Sequence, residues 1–396
     1  MKWETTTLGE VSASIQTGPF GSQLHQSDYS ESGTPVVMPK DLVGGKISTE
    51  SIARVAESHV ERLSRHKILP GDILYSRRGD VGRCAYASEA EANWLCGTGC
   101  LRVTIEQEKA NPKFIFYQLQ TAKSIGWVEK HAVGATMLNL NTGILSAVPI
   151  VLPPLCVQEQ IADILSSYDD LVENNQKQIK LLEEAAQRLY KEWFIDLRFP
   201  GHESTPIHNG IPEGWEKKSL GQIADVVMGQ SPKSEYYNSN KEGLPFHQGV
   251  GSYGNRFVVD DVYSSSFTRI AEAGSILFSV RAPVGRLNIT RNKIVIGRGI
   301  AAMNHKEGMQ SLLFYMLKER FFKDNLVGNG SIFASISKDE LLKQTFIVPA
   351  PNIARRYNGI ASTIDKKIEA VDKEILKLSE ARDRLLPKLM SGEIEV

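Results

Sequence analysis

The chain repeats itself at a spacing near 200 residues, and nothing else in it restricts the fold as strongly, because each copy must bury a core of its own. Trp3-Glu4 followed by Leu8-Gly9-Glu10-Val11 returns as Trp215-Glu216 followed by Leu220-Gly221-Gln222-Ile223, displaced by 212. The run G-D-I-L-Y-S-R-R-G-D-V-G-R from Gly71 to Arg83 returns as G-S-I-L-F-S-V-R-A-P-V-G-R from Gly274 to Arg286, displaced by 203. Gly97 and Gly99 pair with Gly297 and Gly299, Phe116-Tyr117 with Phe314-Tyr315, and Gly134 with Gly330, the displacement shrinking to 196. A length of 396 residues also exceeds one ordinary core, which holds about 100 to 200 residues. The sequence is that of a tandem duplication.

Each copy changes character after proline breakers, Pro153-Pro154 in the first and Pro349 and Pro351 in the second, where a long helix is predicted to begin. Ile161, Leu165, Tyr168, Val172, Asn175, Ile179, Leu182, Ala186, Leu189 and Trp193 follow each other in steps of four and three, the pattern of a coiled-coil seam. Displaced by 196, the second helix offers Tyr357, Ala361, Ile364, Ile368, Val371, Ile375, Leu378, Arg382, Leu385 and Leu389. Asn175 reads as a device that sets register, or as a polar group turned towards solvent near a partner. Pro387 predicts a kink or an end near Leu386, which leaves Leu389 a doubtful seam position. The expected order is a first globular domain over residues 1–152, a spacer helix over 153–199, a linker and second domain over 200–350, and a second spacer helix over 351–396. Pro200 to Gly214 reads as loop. A helix leading away from the first domain and its duplicate leading back are expected to run antiparallel. Ile161 to Trp193 makes a rod of roughly 50 Å, which holds the two domains apart in a pseudo-two-fold, caliper-like arrangement. The expected fold class is α/β, two similar domains separated by an antiparallel coiled coil.

Several chemistries are excluded by what the sequence lacks. Hydrophobic residues at 41% and charged residues at 23% belong to a folded globular chain. No apolar run approaches the roughly 18 residues of a membrane span and the opening MKWETTTLGE has no signal-peptide core, so a cytoplasmic protein without a membrane partner is expected. Four cysteines are too dispersed for a disulfide framework. Cys84, Cys96 and Cys100 align with Leu287, Ile296 and Ile300, so they read as small core hydrophobes rather than metal ligands. No zinc spacing, phosphate loop, dinucleotide fingerprint or adenine-methyltransferase motif is present; Gly44-Gly45-Lys46 lacks the first glycine and the following Ser or Thr. No catalytic residue and no metal ligand is predicted.

Lys plus Arg equals Asp plus Glu at 46 each, so attraction to an anion must be local. Arg281, Arg286, Arg291, Lys293 and Arg298 form a basic run without an acidic residue, and the first copy places Arg77, Arg78 and Arg83 around Asp80. Arg78/Arg281 and Arg83/Arg286 persist in both copies beside glycine. There a guanidinium can fork to phosphate or guanine, or can brace a turn against a carboxylate. Loops at Gly18 to Ser22 and Gln230 to Lys233 are candidate groove loops, carrying Phe20, Ser22, Ser231 and Lys233. Lys40 and Gln248, about twenty residues later, can hydrogen-bond base edges, or can be ordinary surface polarity. Phe20, Tyr29, Tyr236 and Tyr237 can stack on bases, although a lone aromatic more often fills a core.

Over nearly its whole length the chain resembles the specificity subunits of type I restriction-modification enzymes. The resemblance rests on the opening W-E-x-x-x-L-G-E/Q-V/I, the G-D-I-L block, P-L-C-V-Q-E-Q-I-A-D-I-L, L-Y-K-E-W-F-I-D-L from Leu189 to Leu197, and R-L-L-P-K-L-M-S-G-E-I. The second helix opens with P-N-I-A-R-R-Y-N-G-I-A and departs from the Glu159-Gln160 pattern of the first. The resemblance implies two target recognition domains that each bind half of a split site on double-stranded DNA, with the helices as a ruler between them. It implies docking of two methyltransferase subunits and of motor-nuclease subunits, with S-adenosylmethionine, ATP and Mg on those partners and no cofactor on this chain. Glu159, Gln160, Asn175, Trp193 and Phe194 fall to spacing and docking, and the arginines and loop residues above to DNA. Charge neutrality adds the expectation that the isolated chain binds DNA weakly. A coiled-coil scaffold that binds no DNA is the alternative, and a self-contained endonuclease built on Asp72 and Asp80 is disfavoured because their counterparts are Ser275 and Pro283.

Overall fold

The computed structural model describes residues 3–134, 137–321 and 335–396, so Gly330 of the last repeat pair lies outside the described residues. The chain forms two compact units, Met1–Asn174 with Glu374–Val396, and Asn175–Lys373.

In the first unit a four-stranded antiparallel sheet runs in the order Ser12–Thr17, Cys100–Ile105, Ile73–Ser76, Cys84–Tyr86. The I-L-Y-S strand is buried at every position because both of its faces are covered. Ile73 and Tyr75 enter one apolar cluster with Leu101, Val103 and Phe114, while Leu74 points the other way to Ala85, Cys96 and Cys100. Burial pushes the Cys84 and Cys96 thiols up to about 12, which suits inert core residues. A second sheet runs Leu95–Cys96, Thr34–Val37, Ala53–Val55, Tyr29–Ser30, with the first two strands parallel. Helix Pro112–Leu119 covers the first sheet, started by Asn111, whose side chain accepts from the Phe114 N–H at 3.0 Å. Glu4–Thr7 pairs with Pro149–Leu152 and closes the unit just before the helical region.

The second unit repeats this plan with one strand more. Its antiparallel sheet is Ala224–Met228, Ile300–His305, Ile276–Ser279, Leu287–Ile289. The second sheet again holds one parallel pair, Leu244–His247 with Ile294–Ile296, and adds Ile270–Ala271 at its edge. Glu216–Ser219 pairs with Thr345–Val348, as Glu4–Thr7 does with Pro149–Leu152. The duplication read from the Trp, Gly and G-x-I-L matches is therefore a duplication of topology.

Leu155–Phe194 and Pro351–Ser391 are single helices of 40 and 41 residues. Every position of both predicted seams is buried or half-buried. In the first unit Ile161 and Leu165 share a cluster with Leu385 and Leu389, and Asp169 pairs with Arg382, so the segments run antiparallel. In the second, Tyr357 donates to the Ala186 carbonyl at 3.1 Å, and Glu183 and Asp365 meet on Arg256, again antiparallel. Two expectations change. The second helix continues past Pro387 to Ser391, and Leu389 is 1% exposed. Proline in the last turn removes one hydrogen bond, and burial of Leu389 and Met390 beyond it holds the turn. The linker is also more than loop: Ile207–His208 pairs with Ile211–Pro212 across Asn209-Gly210, both at positive φ, a two-residue hairpin of the Asn-Gly kind. Phe199 and Trp215 flank it with ring centroids 4.9 Å apart. Among the described residues no helix is long and apolar enough to cross a membrane.

Candidate nucleic-acid interface

Glycine closes the second unit's candidate site. A Cβ on Gly229 would lie 2.1 Å from the Gly297 carbonyl oxygen, and one on Gly299 would lie 2.5 Å from the Gln248 oxygen. Only glycine lets these three segments meet. The Gly299 N–H donates to the Gln248 carbonyl at 3.0 Å, and the Arg298 N–H donates to the Ser231 hydroxyl at 3.3 Å. Gln248, Arg281 and Arg298 consequently line one cavity of about 270 Å³, while Ser231, Lys233, Gln248 and Arg298 line a shallower hollow of about 620 Å³. Five residues proposed from scattered positions thus share one rim.

Charge on the rim is unevenly compensated. Arg281 and Arg298 are exposed and pair with no carboxylate among the described residues, whereas Lys233 sits 3.7 Å from Glu235. The expected five-residue basic patch is not one surface. Arg291 pairs with Asp372 and lies 4.0 Å over the Phe257 ring, and Lys293 meets Glu272 at 3.0 Å. Arg286 lines a different cavity of about 540 Å³ with Arg256, Lys318 and Glu183. Tyr237 stacks on Phe246 at 4.6 Å and bonds the Pro232 carbonyl, a packing role, while Tyr236 stays 40% exposed.

A chain of three polar residues that the sequence did not reveal steadies the rim. His247 meets the Ser252 hydroxyl at 2.8 Å through Nδ1 and Asp260 at 2.9 Å through Nε2. Its imidazole has no exposed surface, so no substrate reaches it and the trio acts as a clamp on the loop that follows Gln248. The hydrogen bond from His247, together with that from Asn292, holds the Asp260 carboxyl below the usual aspartate range.

The first unit builds the same frame with other side chains. Gly18 closes on Gly97, where a Cβ would lie 2.0 Å from the carbonyl oxygen. Phe20 is 54% exposed and lies 5.8 Å from the Arg77 guanidinium; Ser22 and Arg78 are exposed. Arg83 is a turn brace, bonded to Asp80 at 2.8 Å, and its counterpart turn has Pro283 in place of that aspartate. Lys40 is spent on the Ser51 carbonyl at 2.7 Å and lies 3.7 Å from Asp41. The residue equivalent to Gln248 is Met38, because Gly97 bonds the Val37 carbonyl as Gly297 bonds that of His247. Asp72 is enclosed with Arg102 at 3.6 Å, and burial raises its pKa. Among the described residues no three His, Cys, Asp or Glu side chains group as a metal site.

A buried arginine, Arg256, was also unforeseen. Burial works against its charge, and Tyr315, Asp365 and Glu183 more than offset that penalty, leaving its pKa raised. It sits 2.6 Å from Asp365 and 3.7 Å over the Phe314 ring. Of the proposed docking residues, Glu159 and Gln160 are exposed. Trp193 and Phe194 are not docking surface: both pack with Trp215 and Tyr357 inside the second unit because the seam requires large apolar groups there. Asn175 is buried, and its Nδ2 has no protein partner.

Two duplicated α/β units, each with a glycine-closed rim and each holding antiparallel segments of the two long helices, define a class of duplicated α/β proteins with paired long helices. The chain belongs to the family described as Type I restriction modification DNA specificity domain, matched over residues 1–184 and 212–380. It is 30% identical to the putative type I restriction enzyme MjaX specificity subunit of Methanocaldococcus jannaschii, over all of this chain and 94% of that one. It is 27% identical to the MjaIX specificity subunit of the same organism, over 93% of this chain and 88% of that one. The crystal structure of a type I restriction-modification S subunit from M. genitalium shares the fold, with a TM-score of 0.59 at 18% identity over 98% and 96% of the two chains.

Proposed function

We propose that this chain is the non-catalytic specificity subunit of a type I restriction-modification complex and that each unit reads one half of a split site on double-stranded DNA. The observation that carries the reading is the convergence of Ser231, Lys233, Gln248, Arg281 and Arg298 on one rim, with two uncompensated guanidiniums, in a chain of this family. Guanidiniums fork to phosphate or guanine, and a side-chain amide matches adenine. The paired helices act as the ruler between half-sites. Two methyltransferase subunits dock on the chain and bring S-adenosylmethionine, and motor-nuclease subunits bring ATP and Mg. Such a complex works on DNA in the cytoplasm.

The test is to co-express the chain with a methyltransferase subunit of a type I system from the same host and map N6-methyladenine across the host DNA. A split motif with a constant gap, lost when this chain is deleted, is the expected result. Methylation that is absent, or that ignores deletion of this chain, overturns the reading in favour of a scaffold.

A further inference from the structure

The backbone frame of the two rims is the same, so their side chains can be compared position by position. Gly18 N–H donates to the Cys100 carbonyl at 2.9 Å and Gly229 N–H to that of Ile300 at 2.9 Å. Gly97 and Gly297 donate to Val37 and His247 at 2.9 and 2.8 Å, and Gly99 and Gly299 accept from Arg77 and Val280 at 2.8 and 3.0 Å. In this frame Arg78 and Arg281 occupy one position, Met38 and Gln248 a second, and Thr98 and Arg298 a third. One position keeps its chemistry and two reverse it.

We infer that the rim divides its labour, Arg78 and Arg281 holding the DNA phosphate while Arg298 and Gln248 read bases of the second half-site, Arg298 a guanine and Gln248 an adenine. The inference rests on the DNA-specificity reading above. A side chain present in both units cannot distinguish two different half-sites, so it serves what they share, the charged backbone. Positions that change from apolar or hydroxyl to guanidinium or amide carry the difference. The Arg298 fork matches guanine O6 and N7, the Gln248 amide matches adenine N6 and N7, and Met38 and Thr98 offer neither pattern. The turn is set in advance: Arg298 is anchored at its own N–H by Ser231, and Gly297 could not carry a Cβ, which would lie 2.9 Å from the Gln248 Cα.

The experiment uses the chain in complex with its methyltransferase subunit and maps N6-methyladenine for wild type, Arg298→Thr, Gln248→Met and Arg281→Ala. Arg298→Thr is expected to relax one guanine of one half-site by about 5- to 150-fold in preference, leaving the other half-site and the gap intact. Gln248→Met should relax an adenine of the same half-site, and Arg281→Ala should weaken all sites together without changing the motif. An unchanged motif for Arg298→Thr, at full or at uniformly reduced methylation, overturns the inference. If Arg298→Thr does not assemble, wild-type complex is tested on duplexes with 7-deazaguanine at each guanine of the site. Weakened binding at one position supports the inference, and no effect at any position overturns it. A wild-type map with no split motif instead brings down the underlying reading, so the two failures are told apart.

Discussion

Tyr117 donates its hydroxyl to Asp169 at 2.6 Å, and the duplication repeats the pair as Tyr315 and Asp365 at 3.0 Å. The arginine that completes each pair comes from a different place. In the first unit it is Arg382 of the second long helix, and in the second unit it is Arg256 of a loop. The same need, a cation beside a tyrosine-bound carboxylate, has been met twice by unrelated positions.

Removing Arg256 leaves Asp365 and Glu183 facing each other without their cation. Arg256→Ala is expected to destabilise the second unit by about 3 kcal/mol, and Arg382→Ala the first by about 2 kcal/mol, since that site is more open to water. Urea unfolding of each variant measures this. Equal, small losses for both would contradict it.

Asn175 buries an amide nitrogen with no protein partner in a seam that is otherwise largely apolar. Asn175→Val, the residue at the equivalent Val371, should raise stability by about 1 kcal/mol and loosen helix register. Thermal melting reads the first effect. A lower melting temperature would show that the amide is satisfied.

Leu389 lies beyond Pro387 yet is buried with Ile161 and Leu165. Leu389→Ala should cost about 2 to 3 kcal/mol, as for a core leucine. A frayed helix end would lose less than about 0.5 kcal/mol, so the denaturation midpoint decides.

The clamp at His247 gives an acid dependence. Asp260 has its folded pKa below the unfolded value, so its contribution is complete above about pH 3.9 and is lost as the pH falls through the depressed folded value. Asp260→Asn should flatten that part of the acid limb in a pH series of melting temperatures. An unchanged limb would assign the acid sensitivity elsewhere.

If the helices are the ruler, lengthening both lengthens the gap. One added heptad in each, at Asn174/Asn175 and Lys373/Glu374, adds roughly 10 Å, about three base pairs at 3.4 Å each. The methylation map should show the same half-sites with a gap about three longer. A constant gap would refute the ruler.

Repeats and seams were legible because they are periodic, and period is a one-dimensional property. The Asn-Gly hairpin at 209 and 210 carries an equally local signal, but the Pro/Gly-rich stretch around it reads as loop. Of the candidate site, the glycine-flanked arginines were legible from duplication, since Arg78/Arg281 recurs in place. Which arginines remain free was not. Arg291 and Asp372 are 81 positions apart and Arg256 and Asp365 are 109 apart, and no spacing rule joins them. The equivalence of Met38 with Gln248 also waited on backbone hydrogen bonds, because loops of unequal length hide it.

The sequence by itself determined two α/β copies, the long helices, their seams and the family, since local propensity, apolar period and repetition act along the chain. Tertiary structure alone decided which charges are neutralised, that Trp193 and Phe194 face inward, that the helix survives Pro387, and which five side chains share a rim. Those outcomes depend on what lies within a few ångströms across the fold, where burial and electrostatic pairing operate without regard to distance along the chain.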